Sequence, residues 1–255
     1  MPRNKNGGKV IPSRRRSTGR RRKVDATTLL NSLTPTEHAL FTLLEGIGRL
    51  EQALELPHYF RVVVFGSARV EEGSPEYEDA RRLAFELTQR GVNNIVTGGG
   101  PGTMEAANRG ALECQDRRVY SFGVCIEQLN RNELPNRFLR RAYNHRHFCT
   151  RLHQFARLGA AGAFVVMPGG IGTLLEFSMI WQLLQVGHLK GTPLIVIGEM
   201  WRELVEWATR NMPPKGYADL EDMGHVHLVQ TVEEALPILT AAYENFKIKK
   251  ARAAG

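Results

Sequence analysis

Short apolar runs alternate with amphipathic stretches along most of the chain. Residues 61–65 (RVVVF), 94–97, 119–126, 163–167 and 193–197 read as strands, several of them apolar on both faces. Between and after them, residues 103–113, 150–158, 173–184, 201–210 and 232–248 read as helices. The clearest helix opens at Ser74-Pro75. Its residues Tyr77, Ala80, Leu83, Ala84 and Leu87 fall on one face, and Gly91 ends it. Upstream, Thr34-Pro35-Thr36-Glu37 reads as a capping box with proline at the first helical position, opening a helix to about residue 55. Residues 127–144 carry no clear pattern. A strand that is apolar on both sides needs a helix against each face. The alternation therefore predicts an α/β fold: a Rossmann-like doubly wound parallel sheet, a single domain with helices on both faces. Ligands of such folds bind beyond the C-terminal strand ends.

Charge changes this picture at one end. Residues 1–24 hold seven Arg, three Lys and no acid, a charge of +10. The whole chain of 255 residues carries +8, so the remainder carries 8 − 10 = −2. The high isoelectric point belongs to the tail. That tail, rich in Gly, Pro, Ser and Arg, is expected to be disordered. It has no apolar core of a secretory signal, and no aromatic residue for base stacking. Weak, salt-sensitive polyanion binding through Arg14–Arg16 and Arg20–Lys23 is the sharper reading of it. No apolar run reaches the roughly 18 residues of a membrane span. Cys114, Cys125 and Cys149 form no CxxC pair, which suits free thiols in a reducing cytoplasm and offers no metal site. The expected organisation is a basic tail (1–24), an N-terminal helical segment (25–57), a nucleotide-binding catalytic domain (58–248) and a C-terminal tail (249–255).

Two strand-to-helix junctions carry glycine clusters, TGGGPGT (97–103) and PGGIGT (168–173). Both contain GGxGT followed by a helix. A helix start presents unpaired N–H groups and a partial positive charge. Glycine lets an anion approach the backbone, and the Thr can cap the helix or donate to a phosphate oxygen. A lone cluster is easily only a tight turn; two in one parallel sheet point to a phosphate or nucleotide site. Neither cluster has the GK[ST] of a P-loop, and the first strand leads into Gly66-Ser67-Ala68-Arg69 rather than GxGxxG. NAD dependence and Walker-type ATP hydrolysis are thus disfavoured. Absence of GxSxG and HExxH leaves serine hydrolase and zincin chemistry without support. Glu176, three residues past Thr173, lies one turn from an anion-binding helix end and suits a base or a cation stabiliser.

MPGGIGTLLE (167–176), containing PGGxGTxxE, and its companion TGGGPGTMEAANRGA (97–111) resemble the Lonely Guy (LOG) family of nucleoside 5′-monophosphate phosphoribohydrolases. The family also includes bacterial AMP nucleosidases. The name lysine decarboxylase is sometimes attached to such proteins, but no pyridoxal-phosphate site is seen here. The resemblance covers residues 58–210 or so. It implies a homodimer with sites near the interface, acting without a cofactor on AMP or a cytokinin riboside 5′-monophosphate, and releasing free base and ribose 5-phosphate. Gly98, Gly99, Gly100, Gly102, Thr103 and Glu105 from the first cluster would then bind substrate, as would Pro168, Gly169, Gly170, Gly172 and Thr173 from the second. Gly66, Ser67 and Arg69 would reach base or ribose. Glu176 would stabilise the oxocarbenium-like ribose cation or orient water.

One departure stands out. The family's catalytic Arg, paired with a Lys, falls fifteen residues before the Pro, where this chain has His153-Gln154. A helix leading into a parallel strand has its N-terminal end on the ligand side, which favours Arg151 over Arg157, with Arg146 second. His153 is read as a base contact. Two alternatives stay open. One is a non-catalytic binder of a nucleotide or phosphorylated cofactor, such as a molybdenum-cofactor carrier. The other is a nucleic-acid-associated protein using its basic tail. The apolar stretch 177–189 is the expected dimer face.

Overall fold

The computed structural model describes residues 34–40, 42, 59–127 and 134–254. The basic tail and most of the helix expected over 34–55 lie outside these residues. Contacts divide the chain into two units, residues 1–55 and 56–255. In the first, residues 35–40 are helical, and the capping box is formed: the Thr34 N–H donates to Glu37 Oε2 at 2.8 Å. The Glu37 N–H donates back to Thr34 Oγ1 at 3.4 Å.

In the second unit, β1 (Val62–Phe65), α1 (Pro75–Gln89), β2 (Asn94–Thr97), α2 (Thr103–Glu113) and β3 (Tyr120–Ile126) come first. Then follow β4 (Arg141–His145), α3 (Phe148–Gly159), β5 (Ala163–Val166), α4 (Ile171–Gln185) and β6 (Leu194–Ile197). The chain ends with α5 (Arg202–Asn211), the short α6 (Leu220–Met223), β7 (Val226–Val229) and α7 (Val232–Ala254). Among the described residues the strands form one sheet in the order β4-β3-β2-β1-β5-β6-β7, and every pairing is parallel. This is a doubly wound α/β fold.

β1, β2, β5 and β6 are buried along their whole length, as continuous apolar strands covered on both faces must be. One core packs α1, α2 and α7 against residues such as Val62, Val64 and Ile95. The other packs α3, α4 and α5 against Val63, Phe65 and Val166. On α1 the predicted face, Tyr77 to Leu87, is buried, and Ser74 Oγ accepts the Tyr77 N–H at 3.3 Å.

Two strands escaped the sequence pattern. β4 lies in the stretch without clear periodicity, and four of its five residues are exposed. β7 reads VHLV with one buried residue. These are the two edge strands, which each pair on one side only and so need no continuous apolar run. The last helix, expected to stop near residue 248, continues to Ala254.

The order of connection reverses between β1 and β5. The glycine clusters follow β2 and β5, the two neighbours of β1. Strands lie roughly 4.8 Å apart, so the two turns leave the sheet about 10 Å from each other, on either side of the end of β1.

Candidate active site at the switch point

Ser67, just past β1, ties the two glycine turns together. Its N–H donates to the Pro168 carbonyl at 3.3 Å, and its carbonyl accepts the Thr103 N–H at 3.0 Å. A Cβ on Gly66 would collide with the Thr103 side chain, and one on Gly102 (φ +67°) would strike the backbone of Ser67 and Ala68. These glycines are needed because the α2 start is pressed against the end of β1.

Arg151 joins the turns to Glu176. It is buried, and its Nε donates to the Val124 carbonyl at 2.8 Å. Its guanidinium lies where a Cβ on Gly98 would sit. Its Nη1 is 3.6 Å from Glu176 Oε1, and both side chains are about nine-tenths buried. The guanidinium also lies over the Phe155 ring, 5.1 Å from its centroid. The helix-polarity argument therefore selects a residue that touches the first turn and the candidate carboxylate together. The helix itself begins earlier than expected. His147 is the N-cap, and Thr150 lies inside the first turn with its hydroxyl donating to the His147 carbonyl at 2.9 Å.

The look-alike turns are not equivalent. In the first, Gly98 is filled by Arg151 and Met104, and Gly99 (φ +80°) is packed by Cys125, Gly123 and Leu139. Thr103 is buried, its N–H is taken by Ser67, and its Oγ1 has no hydrogen-bond partner. In the second, Gly170 and Gly172 are exposed and face open space, while Thr173 is buried with its hydroxyl over Gly169. Neither threonine caps its helix. The N-caps are Gly102 and Gly170, and neither makes a side-chain cap bond. The α4 start thus offers an open helix N-terminus, the geometry that receives anions. The α2 start is a packed support.

A polar network missed from the sequence holds that support. Asn108, fully buried on α2, accepts the Thr97 hydroxyl at 2.7 Å and donates to Ser121 Oγ at 2.7 Å. Asn136 donates from Nδ2 to the carbonyls of Gly99 (3.1 Å) and Gly100 (2.9 Å) and to Asn108 Oδ1 (3.0 Å). Asn108 had a signal: it shares a helix face with Met104 and Ala111, so a polar residue there had to find buried partners. Asn136 had none, since it lies in the stretch without a pattern. Trp201 adds a brace on the second turn, its indole N–H donating to the Met167 carbonyl at 3.2 Å. Cys125 and His145 complete the surroundings of Arg151. Burial pushes the Cys125 thiol up, against the opposing pull of Arg151. Burial first, and then the charge of Arg151, lowers His145 below its ordinary 6.5.

Three predicted contacts lie apart from this cluster. Arg69 is exposed, its backbone N–H donating to Ser67 Oγ at 3.0 Å. His153 is on the exposed side of α3, since two residues in a helix separate it from Arg151 by more than half a turn. Glu105 is half-buried near Tyr77, whose phenol is pushed up by burial first and by the charge of Glu105 in addition. A separate groove of about 1270 Å³, lined partly by Lys190, Asp222, His225 and Phe246, opens at the opposite end of the sheet. It collects neither glycine turn. No metal-binding group of His, Cys, Asp and Glu occurs among the described residues, and no helix there is long and apolar enough to cross a membrane.

A family model described as "Possible lysine decarboxylase" matches residues 104–239, just over half of the chain. The pyrimidine/purine nucleotide 5′-monophosphate nucleosidase of Escherichia coli K12 is 32% identical over 143 residues, 54% of this chain. That stretch is only 30% of the longer relative. The molybdenum cofactor binding protein of Rippkaea orientalis superposes with a TM-score of 0.51 at 17% identity, covering 72% of this chain and 96% of its own. The molybdenum cofactor carrier protein of Chlamydomonas reinhardtii gives 0.49 at 18% identity, covering 73% and 99%. Likeness at such identity is one of fold. The family match spans the second glycine turn, Arg151 and Glu176, and the packed first turn supplies the companion motif, so this chain belongs to the LOG family, whose model bears the lysine decarboxylase description.

Proposed function

We propose that this protein hydrolyses the N-glycosidic bond of a nucleoside 5′-monophosphate, AMP or an N6-substituted AMP, to free base and ribose 5-phosphate. The observation that carries the reading is the buried Arg151–Glu176 pair set between the two glycine turns. The open α4 start, with Gly170 and Gly172, receives the 5′-phosphate, and Thr173 lies in the same turn. Ser67 and Gly66, at the β1 end, border the sugar. Glu176 then faces the anomeric carbon. As the C1′–N9 bond lengthens, positive charge develops on the ribose, and a fixed carboxylate stabilises it without reorganisation. Water bonds to C1′ from the opposite side, and its proton ends on the departing base. Arg151 holds the carboxylate in place, being itself fixed to Val124. The relative's name, a nucleotide 5′-monophosphate nucleosidase, supports this class of substrate. No pyridoxal-phosphate chemistry enters.

The site is completed in a homodimer. Within the stretch expected to form the contact, Phe177, Ile180 and Leu184 turn into the core. The exposed apolar residues of α4 are instead Ile171 (82%) and Leu175 (45%), with Val186 (63%) at its C-cap, and they begin at the open glycine turn. Three free thiols, at Cys114, Cys125 and Cys149, fit a reducing cytoplasm.

The test is incubation of the purified protein with AMP, CMP, GMP and an N6-substituted AMP, following free base by chromatography. Release of base from at least one, reduced about 10²–10⁴-fold in Glu176→Gln, is the expected result. Tight nucleotide binding with no base released would make the protein a carrier, and would overturn the reading.

A further inference from the structure

The near-neutral body conceals a segregation of charge. Residues 134–175 contain six Arg and no acidic residue. With the body at −2, the rest of it carries −2 − 6 = −8. Part of the cationic excess gathers along the β3–β4 edge, at the strand ends opposite the glycine turns. There Tyr120, Phe122 and Tyr143 stand in a row, with ring centroids 5.9 and 6.2 Å apart and interplanar angles of 23° and 15°. The outer rings are 45% and 37% exposed. Arg141 is exposed at the start of β4, the sheet's outer strand. Arg61 lies within electrostatic reach of both Tyr143 and Arg157, and Arg157 is exposed. Arg140 reaches back beside Tyr120 to the carbonyls of Arg117 and Val119. Asp116, the acid near this edge, is committed to Arg118.

A self-complementary contact with a second copy would lay this patch on itself and set guanidinium against guanidinium. A polyanion has the opposite sign. Among polyanions, those with planar rings between their charges match a surface of near-parallel aromatic rings flanked by cations. We propose that the β3–β4 edge binds single-stranded nucleic acid, with bases stacking on Tyr120 and Tyr143 and phosphates pairing with Arg141 and Arg157. The surface is separate from the nucleotide site, and this binding is independent of catalysis.

The full chain is titrated into a fluorescently labelled oligothymidylate 12-mer, with anisotropy as the readout. Tyr120→Ala and Tyr143→Ala each weaken binding about tenfold, the size of one lost stacking contact. Both leave binding to inorganic polyphosphate unchanged, because the basic tail and the arginines remain. Arg141→Gln with Arg157→Gln weakens both ligands and lowers the slope of log affinity against log salt by about 1.4. Saturating AMP does not displace the oligonucleotide. Wild-type oligonucleotide affinity in both tyrosine variants would overturn the proposal, as would equal losses of polyphosphate binding or displacement by AMP. Both tyrosines are part-exposed, and a melting curve verifies each fold.

Discussion

Arg151 shows how far a single residue's role is set by its neighbours. Its Nε is fixed to Val124, its face lies on Phe155, and its remaining nitrogens reach toward Glu176 and Gly98. A planar fork does this; a point charge cannot. Arg151→Lys should therefore lower kcat/KM for AMP at least about tenfold, ~1.4 kcal/mol of transition-state stabilisation, with little change in melting temperature. Steady-state base release checks this, and an unchanged kcat/KM would remove Arg151 from the mechanism. His145 gives a pH effect with a definite sign. Its folded pKa lies below the ordinary 6.5, so the unfolded chain takes the proton more readily. Stability is full above about pH 6.5 and falls as pH drops through that value. Urea melts at pH 7.5 and 5.5 should show a loss at the lower pH that is smaller in His145→Asn. The placement of Arg151 and Glu176 beside the glycine turns was readable because helix polarity and motif spacing are local facts. Burial of the Arg151–Glu176 pair was not, since it depends on β3 and α2 coming from far along the chain.

Among the elements, the turn before α2 depends on a segment that no periodicity announces. Asn136 supplies donors to three acceptors on two other elements. Asn136→Ala removes them all and should lower stability by about 1–3 kcal/mol, seen as a shifted urea midpoint at constant slope. Asn136→Asp should be no better, because it sets carboxylate oxygens against carbonyl oxygens. A midpoint unchanged in both would show that the network is dispensable. The helices and central strands were legible because each must bury a face or a whole length, which writes a period of 3.6 or a continuous apolar run. Edge strands β4 and β7 escaped for the converse reason: backbone pairing to one neighbour holds them, and backbone pairing leaves no mark on side-chain order.

For the whole molecule, the open α4 start and the exposed apolar Ile171 and Leu175 lie on one helix, with exposed Val186 capping its other end. In the proposed homodimer, assembly and substrate binding would therefore be coupled through α4. Ile171→Glu should convert a dimer to monomers in sedimentation velocity and weaken AMP turnover with it. A wild-type chain that sediments as a monomer at micromolar concentration would refute the homodimer. Charge is organised at the same scale, with the acid-poor segment 134–175 brought to the sheet edge and to the mouth of the site by β4 and α3.

The order of helices and central strands, the parallel doubly wound class and the two glycine motifs followed from the amino-acid order alone, because periodicity and turn chemistry act over a few residues. Which of the matching turns is open was decided only by tertiary packing. Arg151, Cys125, Leu139 and Asn136 come from other elements to fill the first turn, whereas among the described residues none comes within 4 Å of where a Cβ on Gly170 or Gly172 would sit. The motifs are alike in sequence; the difference between a packed turn and an open one is the set of distant side chains that the fold places against each.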